Sequence, residues 1–144
     1  MGKGGLCYFR HIMLHKRVSK MVKETLTQAL LQKALDGTWQ RQKAIANNIA
    51  NHETPGYKSI SVEFEHALKN ELNRAGSSVP DKIRNAKITS HTNSDLSYRA
   101  DGNNVDIDKE NIDLVKTQIQ YQYLTRSLTD YYARLRYAIS EGKR

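Results

Sequence analysis

The chain has 144 residues, 38% hydrophobic and 26% charged, with a mean hydropathy of −0.71 and a formal charge of +8. That length allows one domain at most, and the polar balance is low for a self-sufficient core, so apolar stripes are expected to find partners in other subunits. No run approaches the roughly 20 apolar residues that cross a bilayer, which excludes a transmembrane helix. A single cysteine, Cys7, has no partner for an internal disulfide. The charge is uneven. Residues 1–20 hold Lys3, Arg10, Lys16, Arg17 and Lys20 with no acid, leaving +3 for the other 124 residues. The basic character therefore belongs mainly to a leader and not to a binding face.

Within that leader no periodic stripe develops. A secretory signal needs an unbroken apolar stretch of about 7–15 residues, and Arg10, His11 and His15 interrupt it. Cys7, His11 and His15 recur every fourth residue and would share a helical face. Three ligands without a supporting shell in a glycine-rich end make a poor metal site.

From Val22 to Asn51 the pattern is helical. Val22, Leu26 and Leu30 recur every fourth residue, and Leu31, Leu35, Trp39 or Gln42, Ile45 and Ile49 continue the stripe with drift. Gly37 weakens the middle by about 1 kcal/mol relative to alanine. About 29 residues at 1.5 Å each span roughly 43 Å, too long for burial in so small a globule, so a rod-like partner surface is expected. Trp39 reads as a packing anchor on that surface. Ala44, Ala46 and Ala50 are small enough to let another helix approach. Asn47, Asn48 and Asn51 are poor interior residues, because their amides compete for backbone hydrogen bonds. Asn51 suits a helix end in the left-handed conformation. Pro55 pushes Thr54 extended, and Pro55-Gly56 fits the central pair of a type II turn that presents Tyr57.

Beyond the turn, Ile60, Val62 and Phe64 alternate with polar residues as a short strand would, and Phe64, Leu68 and Leu72 then predict a short helix. Residues 73–103 lose periodicity and read as a flexible or loosely paired insert, with a short strand at Lys87-Ile-Thr89. Asp101-Gly-Asn-Asn104 is a turn. It resembles the start of a calcium loop, but the sixth position would be Asp106 where glycine is needed. Asp106 or Asp108 caps the next helix, with Glu110 adding charge near its positive end.

That last helix is expected to reach about Ile139. Leu114, Tyr121, Leu128 and Leu135 stand seven apart, and Gln118, Thr125, Tyr132 and Ile139 fill the complementary positions, an imperfect coiled-coil seam. Leu35 and Ile45 are its counterparts on the first helix. Val115, Ile119 and Leu124 widen the apolar face, so the helix can touch more than one neighbour. The tyrosines at 121, 123, 131, 132 and 137 suit partly wet interfaces.

Two of these stretches carry a resemblance. Ala46-Asn-Asn-Ile-Ala-Asn51 with Thr54-Pro-Gly-Tyr-Lys58 is similar to the N-terminal signature of bacterial flagellar rod, hook and hook-associated axial proteins. Asp101-Gly-Asn-Asn-Val-Asp-Ile-Asp-Lys-Glu110, leading into Gln118-Ile-Gln-Tyr-Gln-Tyr-Leu124, resembles the C-terminal region of the proximal-rod FlgB family. Together they cover about residues 21–140. The resemblance implies a subunit of the proximal rod, required for assembly and motility, located in the periplasmic part of the basal body and exported by the flagellar type III system without a cleavable signal. Its implied partners are further copies, other rod proteins, the membrane-ring and rod-adaptor proteins, and the export apparatus. Ala46, Asn47, Asn48, Ile49, Ala50, Asn51, Thr54, Pro55, Gly56 and Tyr57 would form the assembly motif, with Asn47 and Asn48 as register devices satisfied only across subunits. In that family the first helix begins near the N-terminus, so Met21 is expected as the initiator and residues 1–20 as an over-long reading of the gene.

The expected architecture is all-α and elongated, with a short loop- or β-like flexible middle segment. Residues 1–20 form the leader, 21–51 the first rod helix, 52–103 a turn, short helix and flexible insert, and 104–140 the second helix, the two long helices pairing as a coiled coil. The free monomer is expected to be only partly ordered. A coiled-coil adaptor, or a type III-secreted interaction protein of another axial structure, is the alternative. A nucleic-acid module is disfavoured, despite a sequence pI of 9.6, because no basic stripe interleaves with aromatics beyond the leader. An enzyme is disfavoured for lack of a phosphate loop, a nucleophile elbow or a credible metal cluster. His52, His66 and His91 stand alone on polar segments, and no cofactor is implied.

Overall fold

Thr25 opens the first helix. Its backbone is extended (φ −74°, ψ 150°), and its Oγ1 accepts the Gln28 N–H at 3.3 Å, satisfying one donor left over at a helix start. In the computed structural model, which describes residues 25–73, 79–94, 97 and 99–141, helix α1 runs Leu26–Ala50 and strand β1 Ile60–Glu63. Helices α2 (Glu65–Asn73) and α3 (Val79–Arg84) follow, then strand β2 (Thr89–Thr92) and helix α4 (Ile107–Glu141). The leader, its Cys7-His11-His15 spacing, and a helix start at Val22 lie outside the described residues.

The two long helices pair antiparallel. At one end Thr25 Oγ1 lies 2.6 Å from the Tyr131 hydroxyl, and the Gln28 and Gln32 amides donate to the Tyr132 hydroxyl at 3.1 and 3.2 Å. At the other end the Asn48 amide donates to Glu110. Where α1 meets its neighbours, Ile45 is buried, and Thr38, fully buried, returns its hydroxyl to the Ala34 and Leu35 carbonyls of its own turn.

The β-like middle expected between the long helices takes the form of a small sheet. Strands β1 and β2 pair antiparallel, with Ile60 opposite Thr92 and Glu63 opposite Thr89. The second strand lies slightly beyond the expected Lys87–Thr89 position, because register with β1 decides where pairing begins. The aperiodic stretch also contains α3. Pro80 sits in its first turn, where a missing N–H costs nothing, and Asp81 pairs with Arg84 at 2.8 Å.

A compact apolar core forms beneath α1. Phe64, Ile83, Leu68, Val79 and Ala29 are all buried and in contact, with Leu30, Ala34, Ala86 and Ile88 packed around them. Phe64 lies flat against α1 at Gly37, where an added Cβ would stand 2.4–2.6 Å from three ring carbons. The glycine first read as a weak point is thus a seat for the ring. Arg41 covers Phe64 with its guanidinium 4.7 Å from the ring centroid, donates to the Val62 carbonyl at 3.2 and 3.0 Å, and pairs with Glu65 at 2.7 Å.

Helix α4 is different in kind. Its 35 residues extend about 52 Å, yet Thr117 alone among them is buried. Leu114, Leu124, Leu128, Tyr131 and Leu135 are half covered, while Ile112, Val115, Ile119, Tyr123, Tyr137 and Ile139 are exposed.

Replacing Gly37 by alanine improves intrinsic helix propensity by about 1 kcal/mol. We nevertheless expect a net loss of about 1–3 kcal/mol, because the methyl group must displace the Phe64 ring. Denaturant unfolding checks this, and Phe64→Leu in the Gly37→Ala background should recover part of the loss.

Candidate functional site

Helix α1 stops where three asparagines follow within five residues, and the structure gives them separate tasks. Asn48 is 1% exposed. Its Nδ2 donates to the Ile60 carbonyl at 2.9 Å and to Glu110 Oε1 at 3.0 Å, while its Oδ1 accepts from the Ile60 N–H at 2.9 Å and the Tyr57 hydroxyl at 3.2 Å. Every hydrogen-bonding position of the amide is filled. One side chain thereby joins α1, the turn, β1 and α4. It also takes the outward-facing N–H and C=O of Ile60, as a neighbouring strand would. The expectation that Asn48 is satisfied only across subunits is therefore corrected: its partners are in its own chain.

Asn51 closes the helix. Its N–H reaches the Asn47 and Asn48 carbonyls at 3.1 Å, and its Nδ2 donates to the Asn47 carbonyl at 2.8 Å. It does so at φ −107° and ψ 16°, so the expected left-handed conformation is not adopted. The type II turn is present. Tyr57 N–H bonds the Thr54 carbonyl at 3.2 Å, and Gly56 takes φ +71°. His52 is half-buried, with Nδ1 2.9 Å from the Ile49 carbonyl. His66 and His91 are exposed.

The partner of this turn is Asp101-Gly-Asn-Asn104, a role that spacing alone did not reveal. Asn103 is fully buried, and its Nδ2 lies within hydrogen-bond reach of three carbonyls at the helix end, Asn51 at 2.9 Å, His52 at 3.1 Å and Thr54 at 2.9 Å. Its Oδ1 accepts the Val105 N–H at 2.7 Å. Asn104 accepts the Ser59 N–H at 2.7 Å and donates to the Asn93 carbonyl at 3.0 Å. The backbones also meet, with Gly56 N–H on the Asp101 carbonyl at 2.8 Å and Lys58 Nζ on the Gly102 carbonyl at 2.9 Å. Gly102 holds φ +76°, and a Cβ added there would stand 3.7 Å from the Gly56 Cα. The readable signal was a second asparagine pair beside a glycine, residues that bond nearby backbone readily.

The electrostatics follow from these contacts. The Asn103 N–H and the Arg99 guanidinium hold the Asp101 carboxyl below its ordinary range, and Arg99 also donates to the His52 carbonyl at 3.1 Å. Asp106 caps α4 by accepting the Asp108 and Lys109 N–H groups at 3.0 and 3.2 Å. Burial raises the Glu110 carboxyl, against the lowering effect of the Asn48 hydrogen bond, and burial followed by the Glu110 charge raises Tyr57.

Of the remaining residues of the first motif, Ile49 and Tyr57 are half-buried, whereas Ala46, Asn47, Ala50, Thr54, Pro55 and Gly56 are exposed. Among the residues expected along the seam, Ile45 is buried and Leu35, Leu114, Leu128 and Leu135 are half-buried. Tyr121, Tyr132 and Ile139 are exposed. Among the described residues no group of three or more His, Cys, Asp or Glu side chains is placed to hold a metal ion, and no helix is long and apolar enough to cross a membrane.

Residues 30–58 match the family described as Flagella basal body rod protein. The chain is 34% identical over 119 residues to the flagellar basal body rod protein FlgB of Bacillus subtilis (strain 168), covering 78% of this chain and 92% of that one. It is 31% identical over 112 residues to FlgB of Escherichia coli (strain K12), covering 68% and 81%. Against FlgB of Borreliella burgdorferi it is 34% identical over 115 residues, covering 68% and 84%.

Two measurements probe this clasp between the two motifs. Asn48→Ala strands both backbone groups of Ile60 and should destabilise the fold by at least about 2 kcal/mol in chemical unfolding. For Glu110, a raised folded-state pKa means that ionisation opposes folding: its contribution is most favourable below the ordinary glutamate value of 4.5 and declines as pH rises through the raised value. Glu110→Gln keeps an acceptor for Asn48 and removes that decline. Relative to the parent chain, the variant should gain stability between about pH 4 and pH 7; a difference that shrinks as pH rises contradicts the assignment.

Proposed function

The chain belongs to the FlgB family of flagellar basal body rod proteins and is a structural component of the flagellar basal body; from that premise we propose that it builds the proximal rod through its two long helices and transmits torque from the membrane ring towards the distal rod and hook. The observation that carries this reading is the exposure of α4. A helix of 35 residues that buries only Thr117 within its own chain, and presents Ile112, Val115, Ile119 and Tyr123 outward, owes its stability to surfaces supplied by neighbours.

In this reading α1 and α4 act as an antiparallel coiled coil, and their outer faces join further copies and other rod proteins into a tube. Heterologous contacts that do not close on themselves give such a filament. Stiffness comes from parallel layers of long helices, and the clasp between the two motifs fixes where each α1 ends. Ala46, Asn47, Ala50, Thr54 and Pro55 are the part of the assembly motif available to neighbours, while Asn48, Asn51 and Tyr57 hold the motif in shape. The membrane ring, rod-adaptor proteins and flagellar type III export apparatus are the further partners. The rod stands in the periplasm, and the chain works as a scaffold without catalysis or cofactor.

Deleting the gene tests this proposal. The expected result is loss of flagella and motility with the inner-membrane ring still assembled, and restoration by the intact gene. A complementing gene truncated after Leu124 leaves the clasp residues in place but removes much of the exposed helix, and should fail to restore rods. Normal flagella in the deletion strain would overturn the proposal.

A further inference from the structure

Asp101 is followed by Gly102 and Asp36 by Gly37, the two Asp-Gly bonds of a chain that has no Asn-Gly. Such a bond is a chemical weak point. Glycine has no side chain to shield its amide nitrogen, which can close a succinimide ring on the carboxyl carbon of the aspartate before it. At Asp101 the fold opposes that closure. The attacking group is occupied, since the Gly102 N–H donates to the Arg99 carbonyl at 3.1 Å. Both carboxyl oxygens are held, Oδ1 by the Asn103 N–H at 3.1 Å and Oδ2 by the Arg99 guanidinium at 2.9 Å. These contacts favour the ionised carboxylate, whereas ring closure expels water from the protonated acid. The Asp101 carbonyl accepts the Gly56 N–H at 2.8 Å, which fixes the peptide plane that would have to turn. The other bond is guarded differently. The Gly37 N–H belongs to the ladder of α1, while Asp36 is exposed.

We propose that the Asp101–Gly102 bond is a spontaneous isomerisation site governed by the clasp, so that the chain ages there only while the clasp is open and an aged chain cannot close it. Water is the one co-reactant. The Gly102 nitrogen bonds to Asp101 Cγ, and its proton leaves with the carboxyl hydroxyl as water. Water then adds back to one of the two ring carbonyls and breaks its bond to nitrogen. Opening at Cγ restores aspartate. Opening at the main-chain carbonyl carbon leaves Gly102 linked through Cγ, with a free carboxylate where the Asp101 carbonyl stood. The backbone is then longer by one carbon. The acceptor of the Gly56 N–H has left the main chain, and Asn103 is displaced from the Asn51, His52 and Thr54 carbonyls that it serves at 2.9, 3.1 and 2.9 Å. Asn103 is fully buried, so the groups it leaves are costly to strand. This property goes beyond the rod reading and does not rest on it.

Ageing the purified full chain tests it. One sample stays at neutral pH in native buffer, and a second is unfolded in guanidinium chloride at the same pH. Cleavage at lysine gives peptides 34–43 and 88–109, in which isoaspartate at 36 and at 101 is counted by electron-transfer mass spectrometry. Isoaspartate at 101 should accumulate at least about tenfold more slowly in the native chain, where reaction waits on local opening. Arg99→Gln keeps a donor for the His52 carbonyl and removes the charge. It should raise the native rate at 101 and leave that at 36 unchanged, with the same circular dichroism, and Arg99→Lys should restore the protection. When the aged, unfolded sample is refolded and given a brief protease pulse, the survivors should be depleted in isoaspartate at 101. Equal rates at 101 in the native and unfolded chains, an unchanged native rate in Arg99→Gln, or isoaspartyl chains that survive the pulse as well as aspartyl ones would each overturn the proposal.

Discussion

A helix that ends within a folded chain leaves its last carbonyl groups without donors, and much of this structure follows from how that need is met at the end of α1. The carbonyl of the closing residue Asn51, with those of His52 and Thr54 in the turn beyond it, converges on the single buried amide of Asn103. Asn48 does the complementary work one turn earlier, where its amide supplies the outer edge of β1 and reaches Glu110 at the start of α4. Leaving one such group unmatched costs about 1–3 kcal/mol, so the two asparagines act as obligatory joints. Among the described residues no buried side-chain nitrogen or oxygen lacks a partner. A set this complete holds one arrangement of turn, strand and helix start against its competitors.

The remainder of the molecule divides into a small filled core and a long open shaft. The core is anchored by Phe64 against Gly37 and roofed by Arg41, which also occupies the Val62 carbonyl and so blocks the outer edge of β1. This edge of the sheet is closed by side chains of α1, one an amide and one a guanidinium. The shaft, by contrast, is joined to α1 partly through tyrosine hydroxyls and glutamine amides, partners that tolerate water. A rigid joint at one end and unspent apolar surface along the other helix suit a subunit that must hold its shape while adding to a growing structure.

Much of this organisation was legible as pattern. The 3.6-residue stripes located both long helices, Pro55-Gly56 predicted the turn, and alternation at Ile60, Val62 and Phe64 marked the strand, because each signal depends on neighbours close in the chain. Helix α3 was not legible, because six residues containing proline carry too little periodicity. The pairing of β2 was not legible either, because register belongs to a partner some thirty residues away. Gly37 looked like a defect, since nothing local announces that an aromatic ring 27 positions later needs the missing Cβ.

The same division runs through the asparagines. By itself the sequence determined that the end of α1 is polar, abrupt and followed by a fixed turn, since helix propensity and turn chemistry are properties of the residues in place. Only the tertiary structure decided that Asn48 faces inward while Asn47 and Ala50 face out, that Asn51 closes the helix at negative φ, and that Asn103 arrives from fifty residues away to receive the carbonyls of Asn51 and the turn. An amide carries the same donors and acceptors wherever it stands; which of them are spent inside the chain depends on what folding brings within 3 Å of it.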